Sequence, residues 1–156
     1  GRNAVGTWSK LTLCWVIIAL SATIGTQSLR AADAKVHRVA IQVSVNDPAV
    51  MNLALNNAVN VAQDYSAKGE EVEIEIVAYG PGLHMLRDDT SPVQARLKSI
   101  GESMPNVAFV ACGNTRIAMQ KAEGKEVPLV SRAKVVKAGV VRLMELQEQG
   151  WSYVRP

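Results

Sequence analysis

Apolar and polar positions fall into blocks along this chain, and their period switches between two and roughly three and a half. Val39, Ile41, Val43 and Val45 alternate with Ala40, Gln42 and Ser44. That alternation predicts a strand with one strongly apolar face and one face of small residues. Asn46-Asp47-Pro48 ends it, with Asp47 suited to cap a helix and Pro48 to its first turn. The next block predicts a helix over 49–67, with Val50, Leu53, Ala54, Ala58, Val61, Ala62 and Tyr65 on its inner face. Asn52, Asn56, Asn57 and Asn60 sit elsewhere on that helix, either as a solvated face or as a hydrogen-bonding edge at a subunit contact.

Residues 71–79 alternate acid with aliphatic and then turn continuously apolar, which predicts a strand that is half wet and then buried. Gly80-Pro81-Gly82 breaks it, and a short helical turn is expected over 83–87. A helix over 92–102 turns Val93, Leu97 and Ile100 inward. A strand over 107–111 follows, then a helix over 115–123. Residues 127–130 and 133–136 read as extended. The last helix covers 139–149, with Val140, Leu143, Met144 and Gln147 inward, and 151–154 reads as a closing strand. Strand and helix alternate throughout, so the expected architecture is an α/β three-layer sandwich with a mainly parallel sheet of about five strands. The first and third strands are expected to be central.

The first 34 residues stand apart from this pattern. Arg2 and Lys10 precede an uncharged, mostly apolar run from Leu11 to Gly25, and Ala32-Asp33-Ala34 offers a cleavage site before Lys35. This reads as a signal peptide, with a membrane anchor as the alternative, followed by a single domain over 35–156. A periplasmic or secreted protein is then expected, with no membrane contact after leader removal. The chain carries 17 Lys and Arg against 14 Asp and Glu. Arg2, Lys10, Arg30 and Asp33 belong to the leader, which leaves 14 basic against 13 acidic residues. A near-neutral domain without a basic cluster is a poor match for nucleic acid.

Cys14 lies in the leader, so Cys112 is the one thiol of the expected domain. It ends the apolar run Val107-Ala-Phe-Val-Ala111 and opens Gly113-Asn114-Thr115. A strand that stops at a thiol before a helix presents sulfur at the carboxyl end of a sheet, where open α/β folds bind ligands. Backbone N–H groups and the helix dipole favour thiolate there. Loops containing Asn46, and Gly80, Gly82 and His84, are expected to leave the same end. Asn114, His84 and Arg87 are candidate partners of the sulfur. The opposing reading is a small apolar side chain filling the core. His37, ahead of the first strand, reads as exposed.

Several chemistries lack their residues. There is no GxGxxG and no GxxxxGK[ST], so neither dinucleotide nor P-loop binding is indicated. No CxxC and no GxSxG occur. Two distant His and one Cys do not make a metal site, and no cofactor is expected.

Four segments together resemble the DsrE/DsrF-like family: LALNNAVNVAQDY, VEIEIVAYGPGLHML, NVAFVACGNT and VVKAGVVRLMELQEQGWSYVRP. The resemblance implies an α/β parallel-sheet fold assembled as a homo-oligomer, often a trimer or hexamer. It also implies sulfur relay, in which one cysteine accepts sulfane sulfur as a persulfide and passes it to a partner protein. Cys112 takes the place of that cysteine, and Asn114, Thr115 and local N–H groups would stabilise the anionic sulfur. The leader makes exported sulfur handling the better fit than tRNA thiolation. Two other roles stay open from the residues alone. One is a non-catalytic ligand-binding or assembly module. The other is a redox sensor that forms an intersubunit disulfide.

Overall fold

A computed structural model describes residues 35–156. The predicted leader lies outside the described residues. The elements run β1 (His37–Val43), α1 (Pro48–Ala67), β2 (Val72–Ala78), a 3₁₀ helix (Gly80–Leu86), α2 (Gln94–Ser103), β3 (Val107–Cys112), α3 (Gly113–Glu123), β4 (Ala133–Val136), α4 (Gly139–Glu148) and β5 (Ser152–Val154). All five strands pair in parallel, in the order β4-β3-β2-β1-β5. The chain walks from β1 to β4 in one direction and then jumps back across the sheet to β5.

That reversal decides which helix covers which face. Crossovers of one hand place helices on one side while the walk goes one way, and on the other side when it turns back. The side chains agree. One core joins Ile41, Ile74, Ile76, Phe109 and Ala111 to Met51, Leu55 and Leu97, with Met119 of α3 partly buried against it. A smaller core joins Ala40, Val77 and Val110 to Leu143 and Leu146 of α4. The alternation of strand side chains puts Cys112 on the face of Val110, under α4.

Local signals account for the element ends. The Asp47 carboxylate accepts the Ala49 N–H at 2.8 Å and so caps α1. Gly124 ends α3 in the left-handed conformation at φ 64°.

The structure corrects several sequence expectations. The middle strand is β2, with β1 and β3 flanking it as interior strands. Helix α1 is rotated: Met51, Ala54, Leu55, Ala58 and Ala62 face inward, while Leu53 is 46% exposed. The apolar arc on this helix is wide, and periodicity alone did not fix its centre. Helix α4 is rotated likewise, burying Gly139, Leu143 and Leu146 and leaving Val140 and Met144 outside. On α1, Arg96 of α2 donates to Asn52 Oδ1 at 2.7 Å and to Asn56 Oδ1 at 2.8 Å, which pairs these two asparagines within the chain. Residues 127–130 make only an isolated antiparallel bridge, Leu129 with Arg87.

Candidate functional site

Cys112 is both the last residue of β3 and the N-cap of α3. Its Sγ accepts the Thr115 N–H at 3.4 Å, the position a serine or aspartate oxygen takes in an ordinary helix cap. The first turn of α3 is held from the side as well. A methyl group at Gly113 would stand 2.9 Å from the Val136 carbonyl oxygen, and the Asn114 N–H donates to the Lys137 carbonyl at 3.0 Å. Glycine at 113 therefore lets α3 begin hard against the end of β4.

A second helix points at the same sulfur. Gly139 opens α4, and a methyl there would lie 3.2 Å from Cys112 Cβ and 3.0 Å from Tyr79 Cβ. The thiol thus sits between the N-terminal ends of α3 and α4, each carrying about half a positive charge on its unpaired N–H groups.

Thr115 completes the arrangement. Its Oγ1 accepts the Gly80 N–H at 2.9 Å, where Gly80 adopts φ 53°. A hydroxyl has one proton to give, and with its oxygen engaged by Gly80 that proton is free for the sulfur. Burial pushes the Cys112 thiol up. The Thr115 hydroxyl and the N–H groups of Gly139, Thr115 and Asn114 pull it down, and the net position is below a thiol's ordinary value. The Asn114 N–H is shared with Lys137, so it is the weakest of these donors. Cys112 is 6% exposed. The side chain of Asn114 is exposed, and Tyr79 is half-buried beside Gly139.

No protein-family model matches the chain, and no curated protein does. Among solved structures, the protein of unknown function MTH1491 from Methanobacterium thermoautotrophicum matches with a TM-score of 0.65 and 31% identity, over 77% of this chain and 99% of that one. This chain belongs to the MTH1491 family. That likeness fixes the fold and leaves the chemistry to be argued from the site.

In this member of the MTH1491 family, the remaining candidate residues fall at different distances from the sulfur. Gly80 reaches it through Thr115. Gly82 packs on the end of β1, where an added methyl would stand 2.2 Å from the Val43 carbonyl oxygen. His84 lies inside the 3₁₀ helix, and its carbonyl accepts the Arg87 N–H at 3.3 Å. Asn46 is exposed after β1, and β2 stands between β1 and β3. Two strand spacings, about 10 Å, separate those strands, so Asn46 is not part of the sulfur's immediate surroundings. Arg87 is buried and ion-pairs with the solvent-accessible carboxylates of Asp89 and Glu123.

Gly139 and Tyr79 were not singled out by the sequence pattern, yet Gly139 lies against both Cys112 and Tyr79. Gly139 could be read only as a helix start. Its approach to Cys112 depends on the reversal of the chain after β4, which no local pattern encodes. Among the described residues, no group of three or more His, Cys, Asp or Glu is placed to hold a metal ion.

Proposed function

We propose that this protein is a sulfur carrier that uses Cys112 as its acceptor and donor thiol. The supporting observation is the sulfur's position between two helix N-termini, with the Thr115 N–H at 3.4 Å and the Thr115 hydroxyl fixed by Gly80. Such a setting stabilises negative charge on sulfur, in a thiolate and equally in a persulfide anion.

The exchange balances without an oxidant. The Cys112 thiolate attacks the outer sulfur of a donor persulfide, R–S–SH. The new bond joins Cys112 Sγ to that sulfur, the donor S–S bond breaks, and R–S⁻ leaves. An acceptor thiolate then attacks the outer sulfur of the Cys112 persulfide and returns Cys112 as thiolate. A leader-like 1–34 supports an exported setting for this relay. Val140, Val141 and Met144, each about half exposed on α4, support a homo-oligomer.

The 6% exposure of Cys112 favours a second reading, a binding or assembly module in which the thiol only fills space. The same burial weighs against an intersubunit disulfide. A transfer assay separates the two main readings. The protein is loaded from a small persulfide, freed of excess donor and mixed with an acceptor thiol. With Cys14 replaced by Ser throughout, one sulfur per chain is expected to move, and none from Cys112→Ser. Equal transfer from Cys112→Ser, or no transfer from the protein with Cys112 intact, rules out the relay.

A further inference from the structure

Arg87 is the bulkiest fully buried side chain among the described residues, at 2% exposure, and it lies away from the thiol. It follows the last residue of the 3₁₀ helix. Its guanidinium donates to Asp89 at 2.9 and 2.8 Å and to both oxygens of Glu123, at 2.5 and 3.0 Å. Glu123 is the last residue of α3. The other end of the same two elements carries the Gly80 to Thr115 hydrogen bond. The 3₁₀ helix and α3 therefore lie side by side, tied at both ends.

The spans agree. From Gly80 to Arg87 the 3₁₀ rise of about 2.0 Å per residue covers about 14 Å. From Thr115 to Glu123 the α rise of about 1.5 Å per residue covers about 12 Å. The two ties therefore match in spacing, and neither element needs to bend to make both. The 3₁₀ run is seven residues long, where about three or four is usual because its hydrogen bonds are poorly aligned. A segment of this kind depends on what holds its ends.

We propose that Arg87 is a positioning residue for the thiol site: by clamping the far end of the 3₁₀ helix to α3, it keeps the Gly80 N–H on Thr115 and so aims the Thr115 hydroxyl at Cys112. This rests on the reading of Cys112 as an ionised nucleophile. Loss of the clamp lets the 3₁₀ helix roll on α3. Thr115 then loses its fixed acceptor role and, with it, the single orientation of its proton.

The test is the pH dependence of Cys112 alkylation by iodoacetamide in the full chain carrying Cys14→Ser, so that Cys112 is its one thiol. The proteins compared are wild type, Arg87→Lys, Glu123→Gln, Thr115→Val, and Arg87→Lys combined with Thr115→Val. Arg87→Lys keeps the charge and loses the two-pronged fork. Glu123→Gln keeps the shape of the partner, and thermal melting shows that the variants compared are folded. The titratable or charged side chains on the elements packed around Cys112 include Tyr79 just after β2, His84 in the 3₁₀ helix, Arg116 on α3, Lys137 after β4, and Arg142 and Glu145 on α4. All are unchanged in these variants, so a moved midpoint belongs to Cys112. Each clamp variant is expected to raise the midpoint and slow alkylation at neutral pH about three- to tenfold, tenfold being one pH unit of midpoint. The combined variant is expected to match Thr115→Val alone. A folded clamp variant with the wild-type midpoint overturns the proposal, as does a combined variant slower than Thr115→Val. An ordinary thiol midpoint in the wild type instead overturns the reading beneath it.

Discussion

Gly139 lies so close to Cys112 that a methyl group on it would stand 3.2 Å from Cys112 Cβ. The start of α4 is thereby brought onto the end of β3 from the opposite face to α1, α2 and α3. This contact makes the thiol site a product of the chain's reversal after β4 and of the strand-to-helix junction together.

Gly139→Ala is expected to push α4 away from both Cys112 and Tyr79. The nearest atoms are Cβ atoms at 3.0 and 3.2 Å, which cannot swing aside as a flexible side-chain tip would. Overpacking of this kind costs about 1–3 kcal/mol, seen as a lower midpoint in urea. Alkylation of Cys112 at neutral pH should also slow, because one N–H donor leaves the sulfur. Unchanged stability and rate would contradict the placement of α4.

The Thr115 hydroxyl accepts the Gly80 N–H and the Thr115 backbone N–H donates to Cys112 Sγ, and variants at this position separate hydrogen bonding from packing. Thr115→Val keeps the shape and strands the Gly80 N–H, at a cost of about 1–3 kcal/mol. It should also move the Cys112 midpoint up. Thr115→Ser keeps the hydroxyl and should hold the wild-type midpoint. Thermal melting and alkylation against pH report the two effects. A Ser variant that behaves like Val would contradict the role given to the hydroxyl.

Gly82→Ala should be among the most damaging single changes. Its methyl would stand 2.2 Å from the Val43 carbonyl oxygen and 2.7 Å from the Ser44 N. Both are backbone atoms, so no rotamer relieves the clash, and the loss should lie at or above the upper end of about 1–3 kcal/mol. Urea unfolding measures it, and a loss under about 1 kcal/mol would contradict this packing.

Acid should release the Arg87 clamp late. The Arg87 guanidinium lowers the Asp89 carboxyl to about 2 from 3.8, and it also lowers Glu123. A carboxylate held below its unfolded value stabilises the fold above that value, and the contribution fades as pH falls through the folded one. The clamp's contribution is therefore expected to be full at pH 5 and to disappear between about pH 4 and pH 2. Wild type and Asp89→Asn, followed by circular dichroism in moderate urea, should converge in stability across that window. Convergence already at pH 6 would contradict the ion-pair account.

Much of this fold was legible from period alone. The run from Val107 to Cys112 is apolar on both faces because β3 is an interior strand between cores of unequal size. The Asp47-Pro48 cap fixed the start of α1 to within a residue. What failed was rotation about helix axes. Ala and Val populate several sides of α1 and α4, so their apolar arcs are broad, and the sheet selected Leu55 over Leu53 and Leu146 over Met144. The sulfur's position at a helix start could be read locally, since one turn of chain determines it. Its neighbours could not. Gly139, Tyr79 and the tie between Gly80 and Thr115 come together only through strand order, and the Arg87 to Glu123 tie joins residues well apart in the chain.

The most direct measurement of the central claim is intact mass after incubation with polysulfide, reducing agent removed. With Cys14 replaced by Ser throughout, the protein with Cys112 intact is expected to gain the mass of one sulfur atom, reversible on adding thiol, and Cys112→Ser to gain nothing. A protein with Cys112 intact that stays at its unmodified mass, or a Cys112→Ser variant carrying the same increment, would contradict it.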